Sequence, residues 1–323
     1  MRTIDWVDGA VEIIDQTALP ATERWLRLST VDDLVAAIAR LAVRGAPALG
    51  VAGAFGVVLA VREHGDDLAA LASAVRRIET ARPTAVNLGY GVRLAADCLP
   101  AGFDAVLEAA LGLRDAEIAA TEAMARRGAD LVAEMCVGQV RFLTHCNAGG
   151  LATVTGGTAL SVVAELHRRG RVASVLASET RPLLQGARLT TWELARLGIP
   201  YRVAVDGAGP FLMARGEVDA VIVGADRICA NGDVVNKVGT YAHALGAREA
   251  GIPFFVVAPE STVDSGTATG ADVEIEDRGA AEVLGFRDER VAPRGADAAN
   301  PAFDVTPHHL VTAIVTDTRV LRP

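Results

Sequence analysis

Aromatic residues make up only 4% of the 323-residue chain, and no run of Lys or Arg stands out against a formal net charge of −9. That balance argues against nucleic-acid partners and against anionic membrane surfaces. The four cysteines, Cys98, Cys136, Cys146 and Cys229, are too sparse for a disulfide framework and form no CxxC pair. A reducing, cytoplasmic setting is the simplest reading, and nothing in the sequence has metal-ligand spacing. No signal peptide is legible, because Asp5 and Asp8 interrupt the start before an apolar core can form. Neither GxGxxG nor a P-loop occurs, and Gly207-Ala208-Gly209-Pro210 lacks the third glycine of a dinucleotide fingerprint. The longest uncharged apolar stretch, residues 46–61, is too short to span a bilayer and contains Pro47, Gly50, Gly53 and Gly56. It reads as a buried helix packed closely through its glycines.

Apolar material is abundant: 51% of the residues are hydrophobic, and the mean hydropathy is +0.30. The length allows one large or two smaller domains. The aliphatic bias suits buried parallel strands. Residues 4–7 and 11–14 flank Asp8-Gly9 and read as a hairpin. From Thr30, a candidate N-cap, the apolar period becomes helical, with Val31, Leu34, Val35, Ile38 and Leu41 on one face. Helical patterns continue over 68–80 and 103–136. After Gly138 the rhythm turns to strand, loop, helix. Candidate strands lie at 140–144, 172–177, 201–205, 220–223 and 254–258. Candidate helices lie at 158–169, 189–197, 210–215 and 236–250. The expected architecture is α/β: an N-terminal hairpin-plus-helical domain over 1–130, and a doubly wound, parallel, Rossmann-like domain over 131–323.

Four polar clusters stand at strand ends or turns. Arg44-Gly45-Ala46-Pro47 would open a helix, and a helix N-terminus beside an arginine attracts anions; a capped helix with a solvated arginine is the bland alternative. Thr144-His145-Cys146-Asn147 follows a strand, where a thiol near helix N-termini can have a lowered pKa, although most such cysteines are small core residues. His145 would point away from Cys146 on an extended strand, which argues against a dyad between them. Glu179 to Arg188 carries two arginines, a glutamate and Gln185, and structural ion pairing explains it equally well. The fourth cluster, Asp226 to Lys237, follows the apolar run 220–223, where open α/β sheets gather their ligands. Burial at a strand lip would raise the pKa of Asp226 and suit a general acid, while Arg227 beside it works in the opposite direction. The residues alone give a cytoplasmic α/β enzyme with an anion site, a candidate acid and a candidate thiol. They do not give its substrate.

Six motifs occur in order: RGAPALG (44–50), ARPTAVNL (81–88), LTHCNAGGLAT (143–153), ETRPLLQGARLT (179–190), VGADRICANGDVVNKVGTY (223–241) and NPAFDVTP (300–307). Together they resemble the methylthioribose-1-phosphate isomerases of methionine salvage over nearly the whole chain. The resemblance implies Cys146 and Asp226 as catalytic residues. It implies substrate contacts at Arg44, Gly45, Ala46, Arg82, Gln185, Asn236 and Lys237, a sugar-phosphate substrate, no cofactor and a homodimer. The wider family also holds ribose-1,5-bisphosphate isomerases and non-catalytic regulatory subunits of a translation initiation factor. The retained Cys146 and Asp226 speak against the regulatory reading, and NPAFDVTP speaks against both. This chain departs from the isomerase pattern at Ala148, Thr155 and Gly156, where the pattern has threonine, glycine and tyrosine, and at Ser178, where it has aspartate. Lost bulk near the site makes 5-deoxyribose 1-phosphate an alternative substrate.

Overall fold

The computed structural model describes residues 1–83, 85–286 and 289–323; Thr84 of the ARPT motif lies outside the described residues. Two units emerge from the close contacts, Met1–Glu122 with Ala148–Ser161, and Ala123–Asn147 with Val162–Pro323. The expected division at residue 130 therefore differs in two ways. Residues 123–130 belong with the C-terminal unit, and residues 148–161 return to the N-terminal one. They return because they hydrogen-bond to it: Thr3 N–H donates to Val154 O at 2.8 Å, and the Gln16 side-chain Nε2 donates to Leu151 O at 2.7 Å.

In the first unit, β1 (Ile4–Val7) and β2 (Ala10–Ile14) form the expected hairpin. Asp8 and Gly9 turn at φ 44° and 79°, the left-handed pair that a tight hairpin needs. A third strand, β3 (Trp25–Leu28), pairs with β2; its four residues are too short a run to stand out in the sequence. Helix α1 (Val31–Ala39) starts as expected, with the Thr30 hydroxyl accepting from Asp33 N–H. Then come α2 (Ala46–His64), α3 (Leu68–Glu79), α4 (Val86–Ala96) and the long α5 (Phe103–Met135), which belongs to this unit up to Glu122 and to the second unit from Ala123 on.

Helix α2 extends three residues past the apolar run and is then long and apolar enough to cross a bilayer, but Pro47 through Ala60 are all buried within the protein. A helix apolar on every side is a core helix when other elements surround it. Its glycines matter at one crossing: a Cβ on Gly91 of α4 would sit 1.9 Å from Gly50 O, so the two backbones touch.

The second unit holds β4 (Val140–Thr144), α6 from the shared segment (Ala159–Arg168), β5 (Val172–Ser178), α7 (Thr191–Arg196), β6 (Tyr201–Ala204), α8 (Gly209–Ala214) and β7 (Ala220–Val223). It continues through β8 (Arg227–Cys229), β9 (Val234–Lys237), α9 (Thr240–Ala250), β10 (Phe254–Val257), β11 (Val263–Asp264), α10 (Ala281–Leu284), β12 (Gly285–Phe286) and β13 (Glu289–Arg290). The last strands are β14 (Phe303–Thr306), β15 (Ala313–Val315) and β16 (Val320–Leu321). Seven strands form one sheet in the order β16-β15-β10-β7-β4-β5-β6, parallel except for β16. Read from the β6 edge to β15, the order is that of a doubly wound Rossmann sheet, with its reversal between β4 and β7. Strands β7 and β10 are buried at every position, which explains their unbroken apolar sequences.

The five expected strands are all present, within a residue at their ends. The Asp226 to Lys237 segment differs from the expected loop and helix. It contains the β8–β9 hairpin, in a smaller sheet ordered β11-β8-β9-β14. Asn236 and Lys237 lie on a strand, and the helix begins only at Thr240, after Gly239 at φ 105°.

Candidate functional site

Parallel strands in a doubly wound sheet send their carboxyl ends to one edge, and the crevice forms where the strand order reverses. Cys146 follows β4 and Asp226 follows β7, so the two candidate catalytic residues leave the two strands that flank the reversal. The Glu179-Thr180-Arg181 loop follows β5, the other neighbour of β4. Three clusters far apart in sequence thus share one edge of the second unit.

Cys146 is half-buried, and its backbone sits at φ 60°, a left-handed conformation unusual for a residue with a side chain. Two threonines hold it. The Thr180 hydroxyl accepts the Cys146 N–H at 2.9 Å, and the Thr190 hydroxyl donates to Cys146 O at 2.7 Å. Asn147 Nδ2 donates a hydrogen bond to Glu193 Oε1 at 2.8 Å. His145 turns inward instead, as expected: its Nε2 meets Val238 O at 2.8 Å and its Nδ1 meets His243 Nε2 at 3.3 Å. Burial lowers the pKa of His145, and burial with its histidine neighbour lowers that of His243 to about 3. Both imidazoles are therefore neutral. Cys136 and Cys229 are unlike a nucleophile: burial pushes Cys136 up, and burial followed by Asp233 pushes Cys229 up to about 11.

Asp226 donates its N–H to Val235 O at 2.9 Å, and its side chain is exposed in this chain. The expected burial at a strand lip is not what the chain provides. Arg227 faces elsewhere, its Nη1 donating to Asp264 at 2.8 Å and Thr267 at 3.1 Å. Gln185 is buried at 8% exposure, and its Oε1 has no hydrogen-bond partner among the described residues. A buried, unpaired acceptor costs on the order of 1–3 kcal/mol, which a donor from a bound hydroxyl would recover. Asn236 is buried and donates to Thr240 Oγ1 at 3.0 Å.

Lys237 Nζ donates to Ala302 O at 2.6 Å and lies 4.5 Å from the centre of the Phe303 ring, a cation–π contact. Strand pairing sets Lys237 opposite Phe303 and Asn236 opposite Asp304, so the NK and NPAFDVTP motifs are cross-strand neighbours. Asp304 accepts N–H bonds from Gly239 and Tyr241 at the start of α9, yet burial raises its pKa to about 6.

The first unit holds the remaining candidates. Gly45 caps α2 at φ 97°, and a Cβ there would lie 2.3 Å from Ala152 O, so only glycine fits. Arg44 Nε donates to Gln16 Oε1 at 3.0 Å, which anchors its guanidinium through Gln16 to the loop at Leu151. Ala46 is the first residue of α2, and Arg82 stands half-buried in the turn before α4. Gly156 has φ 66°, and its Cβ would meet Thr121 at 2.9 Å; the missing tyrosine therefore reflects a backbone that now favours glycine.

A wide cleft of about 730 Å³, lined by Arg126, Arg127, Asp130, Glu134 and Arg322 among others, contains none of the predicted site residues. Thr180 and Thr190 lie within the ETRPLLQGARLT motif but carry no role there, because a threonine hydroxyl has no chemical signal of its own, and Asp206, just before Gly207, stands outside every motif.

A sequence profile of the Initiation factor 2 subunit family matches residues 42–323. The chain belongs to that family. Among similar proteins, the methylthioribose-1-phosphate isomerase of Anaeromyxobacter sp. (strain K) is 53% identical over 97% of this chain and 91% of its own length. A probable bifunctional methylthioribose-1-phosphate isomerase/methylthioribulose-1-phosphate dehydratase of Nocardia farcinica is 52% identical over 98% of this chain, which spans 59% of that longer protein. The 5-deoxyribose 1-phosphate isomerase of Moorella thermoacetica is 49% identical over 99% of this chain and 94% of its own.

Within the family, two solved structures bracket the architecture. The 5-methylthioribose 1-phosphate isomerase of Pyrococcus horikoshii OT3 has a TM-score of 0.92 at 40% identity, covering 100% of this chain and 92% of that one. The translation initiation factor eIF-2B subunit delta of A. fulgidus has a TM-score of 0.88 at 40% identity, covering 100% and 96%.

Proposed function

We propose that this chain is an aldose–ketose isomerase acting on 5-methylthio-α-D-ribose 1-phosphate to give 5-methylthio-D-ribulose 1-phosphate, a step of methionine salvage. One observation carries the reading: in a chain about half identical to named isomerases, Cys146 and Asp226 leave the two strands that flank the sheet's reversal.

The chemistry asks for this pair. The anomeric oxygen of an aldose 1-phosphate is esterified, so the ring does not open as a free hemiacetal does. Asp226, as an acid, protonates the ring oxygen while the bond from C1 to that oxygen breaks. Hydrogen then moves from C2 to C1, with the Cys146 thiol as proton carrier or as a stabiliser of charge at C1. The C2 hydroxyl gives its proton back to the Asp226 carboxylate, so the carbonyl is left at C2 and the phosphate stays on C1. Lys237 supplies a cation for the phosphate, and charge-assisted bonds of this kind are the strong ones. Gln185 and Asn236 are the proposed partners of sugar hydroxyls. The resemblance assigns substrate contacts to Arg44, Gly45, Ala46 and Arg82 as well, and they are proposed on that ground. A homodimer in the cytoplasm completes the reading.

Incubating the purified protein with a panel of aldose 1-phosphates and scoring ketose formation tests the proposal. Turnover of the methylthio substrate supports it, and no ketose from any member overturns it. A second reading, 5-deoxyribose 1-phosphate as substrate, is favoured by the Moorella relative. A higher kcat/KM for the deoxy sugar would select it.

A further inference from the structure

We propose that Asp206 is a positioning residue for Cys146, acting through Thr180 on one side and through a relay of two histidines on the other. The inference rests on the isomerase reading only for its kinetic consequence; the geometry stands on its own.

Asp206 lies in the turn after β6, on the neighbouring strand to β5. Its carboxylate gathers three donors from the last residue of β5 and the loop that follows it. Oδ1 accepts the Ser178 hydroxyl and the Thr180 N–H, both at 2.7 Å, and Oδ2 accepts the Arg181 N–H at 2.7 Å. Thr180 is fully buried and held at φ 67°, a conformation that costs a branched residue on the order of 1–3 kcal/mol and persists only where its surroundings fix it. Asp206 fixes it. The Thr180 hydroxyl then donates to Ser178 O at 3.0 Å and keeps a lone pair for the Cys146 N–H.

Proton assignment links the other flank. Val238 O only accepts, so His145 carries its proton on Nε2 and offers Nδ1 as an acceptor. His243 Nε2–H is therefore the donor, shared between His145 Nδ1 and Ser178 Oγ, each at 3.3 Å. The Ser178 proton goes on to Asp206. Ser178, His145 and His243 are all buried to 2% exposure or less, and burial keeps both rings neutral, as this assignment requires. Both the residue preceding Cys146 and the partner of its N–H thus end on one carboxylate.

The test uses Asp206→Asn, Thr180→Val and Thr180→Ser in the full chain, reading kcat and KM separately together with the rate at which iodoacetamide alkylates Cys146, followed by peptide mass. Asparagine cannot accept on both atoms, and valine keeps the shape of threonine without its hydroxyl. Expected are kcat losses on the order of 10–100-fold with KM nearly unchanged, the range for a misplaced reactive group. The Cys146 alkylation rate should change by at least about threefold in both variants, with recovery in Thr180→Ser. If Asp206→Asn does not fold, the Thr180 pair decides. Folded Thr180→Val with wild-type kcat and alkylation rate overturns the proposal. Should the wild-type protein isomerise no aldose 1-phosphate, the functional reading fails, and the alkylation arm still judges the positioning.

Discussion

The hydroxyl of Thr180 accepts the backbone N–H of Cys146 at 2.9 Å, and both residues hold left-handed backbones, at φ 67° and 60°. A thiol placed this way is set by neighbours on other strands and not by its own sequence.

Loss of either proposed catalytic group should be severe. Cys146→Ser and Asp226→Asn are nearly isosteric, and each is expected to lower kcat by ~10²–10⁴-fold, the range for a missing acid or base. Ketose formation read beside the melting temperature checks this. Ser at Cys98, Cys136 or Cys229 should leave turnover near wild type, apart from packing cost at the buried positions.

Lys237→Met should weaken methylthio and deoxy sugar phosphates equally, because the charge meets the phosphate and not the tail. The expected loss is on the order of 1–3 kcal/mol in kcat/KM. A change confined to one of the two substrates would assign Lys237 to the tail instead.

Gly45→Ala should destabilise the first unit. The new methyl would fall 2.3 Å from Ala152 O, on a backbone at φ 97°. Conformational strain alone is on the order of 1–3 kcal/mol, to which the overlap adds. Urea denaturation measures it, and an unchanged midpoint would show that Ala152 moves aside freely.

Acid should weaken the fold through the buried histidines. Their folded pKa values lie below the unfolded value, so their contribution is present above about pH 6.5 and is lost as pH falls towards 3, where the unfolded chain binds more protons. His243→Leu should flatten this slope in melting temperature between pH 7 and 5. Deletion of the ring also removes the buried His243 Nδ1, which has no partner among the described residues.

Asp304 should act in the opposite sense. Its folded pKa is raised to about 6, so its contribution is present below about pH 4 and is lost as pH rises through 6. The stability of wild type relative to Asp304→Asn should therefore fall between pH 4 and 7. A constant difference across that range would assign Asp304 an ordinary carboxyl.

Much of the fold was legible because its signals are local. Thr30 announces α1, Asp8-Gly9 forces a turn, and the apolar run 220–223 has no face left for water. The β8–β9 hairpin was not legible, since its polar residues Arg227, Asn236 and Lys237 obscure the period of a strand and find their partners at Asp264 and Thr267, at Thr240 and at Ala302 O. The site was half legible: Cys146 and Asp226 carry chemistry that a sequence displays, whereas Asp206 and Thr180 matter only by where they point.

The sequence by itself determined the α/β class, the strands of the main sheet and the reactive groups, because hydrophobic period and side-chain chemistry are properties of short segments. Tertiary structure alone decided the strand order that sets β7 beside β4, the exposure of Asp226, and the threonines and carboxylate around Cys146. Those depend on contacts between residues tens of positions apart, where hydrogen-bond geometry and burial, which no local pattern encodes, select one arrangement.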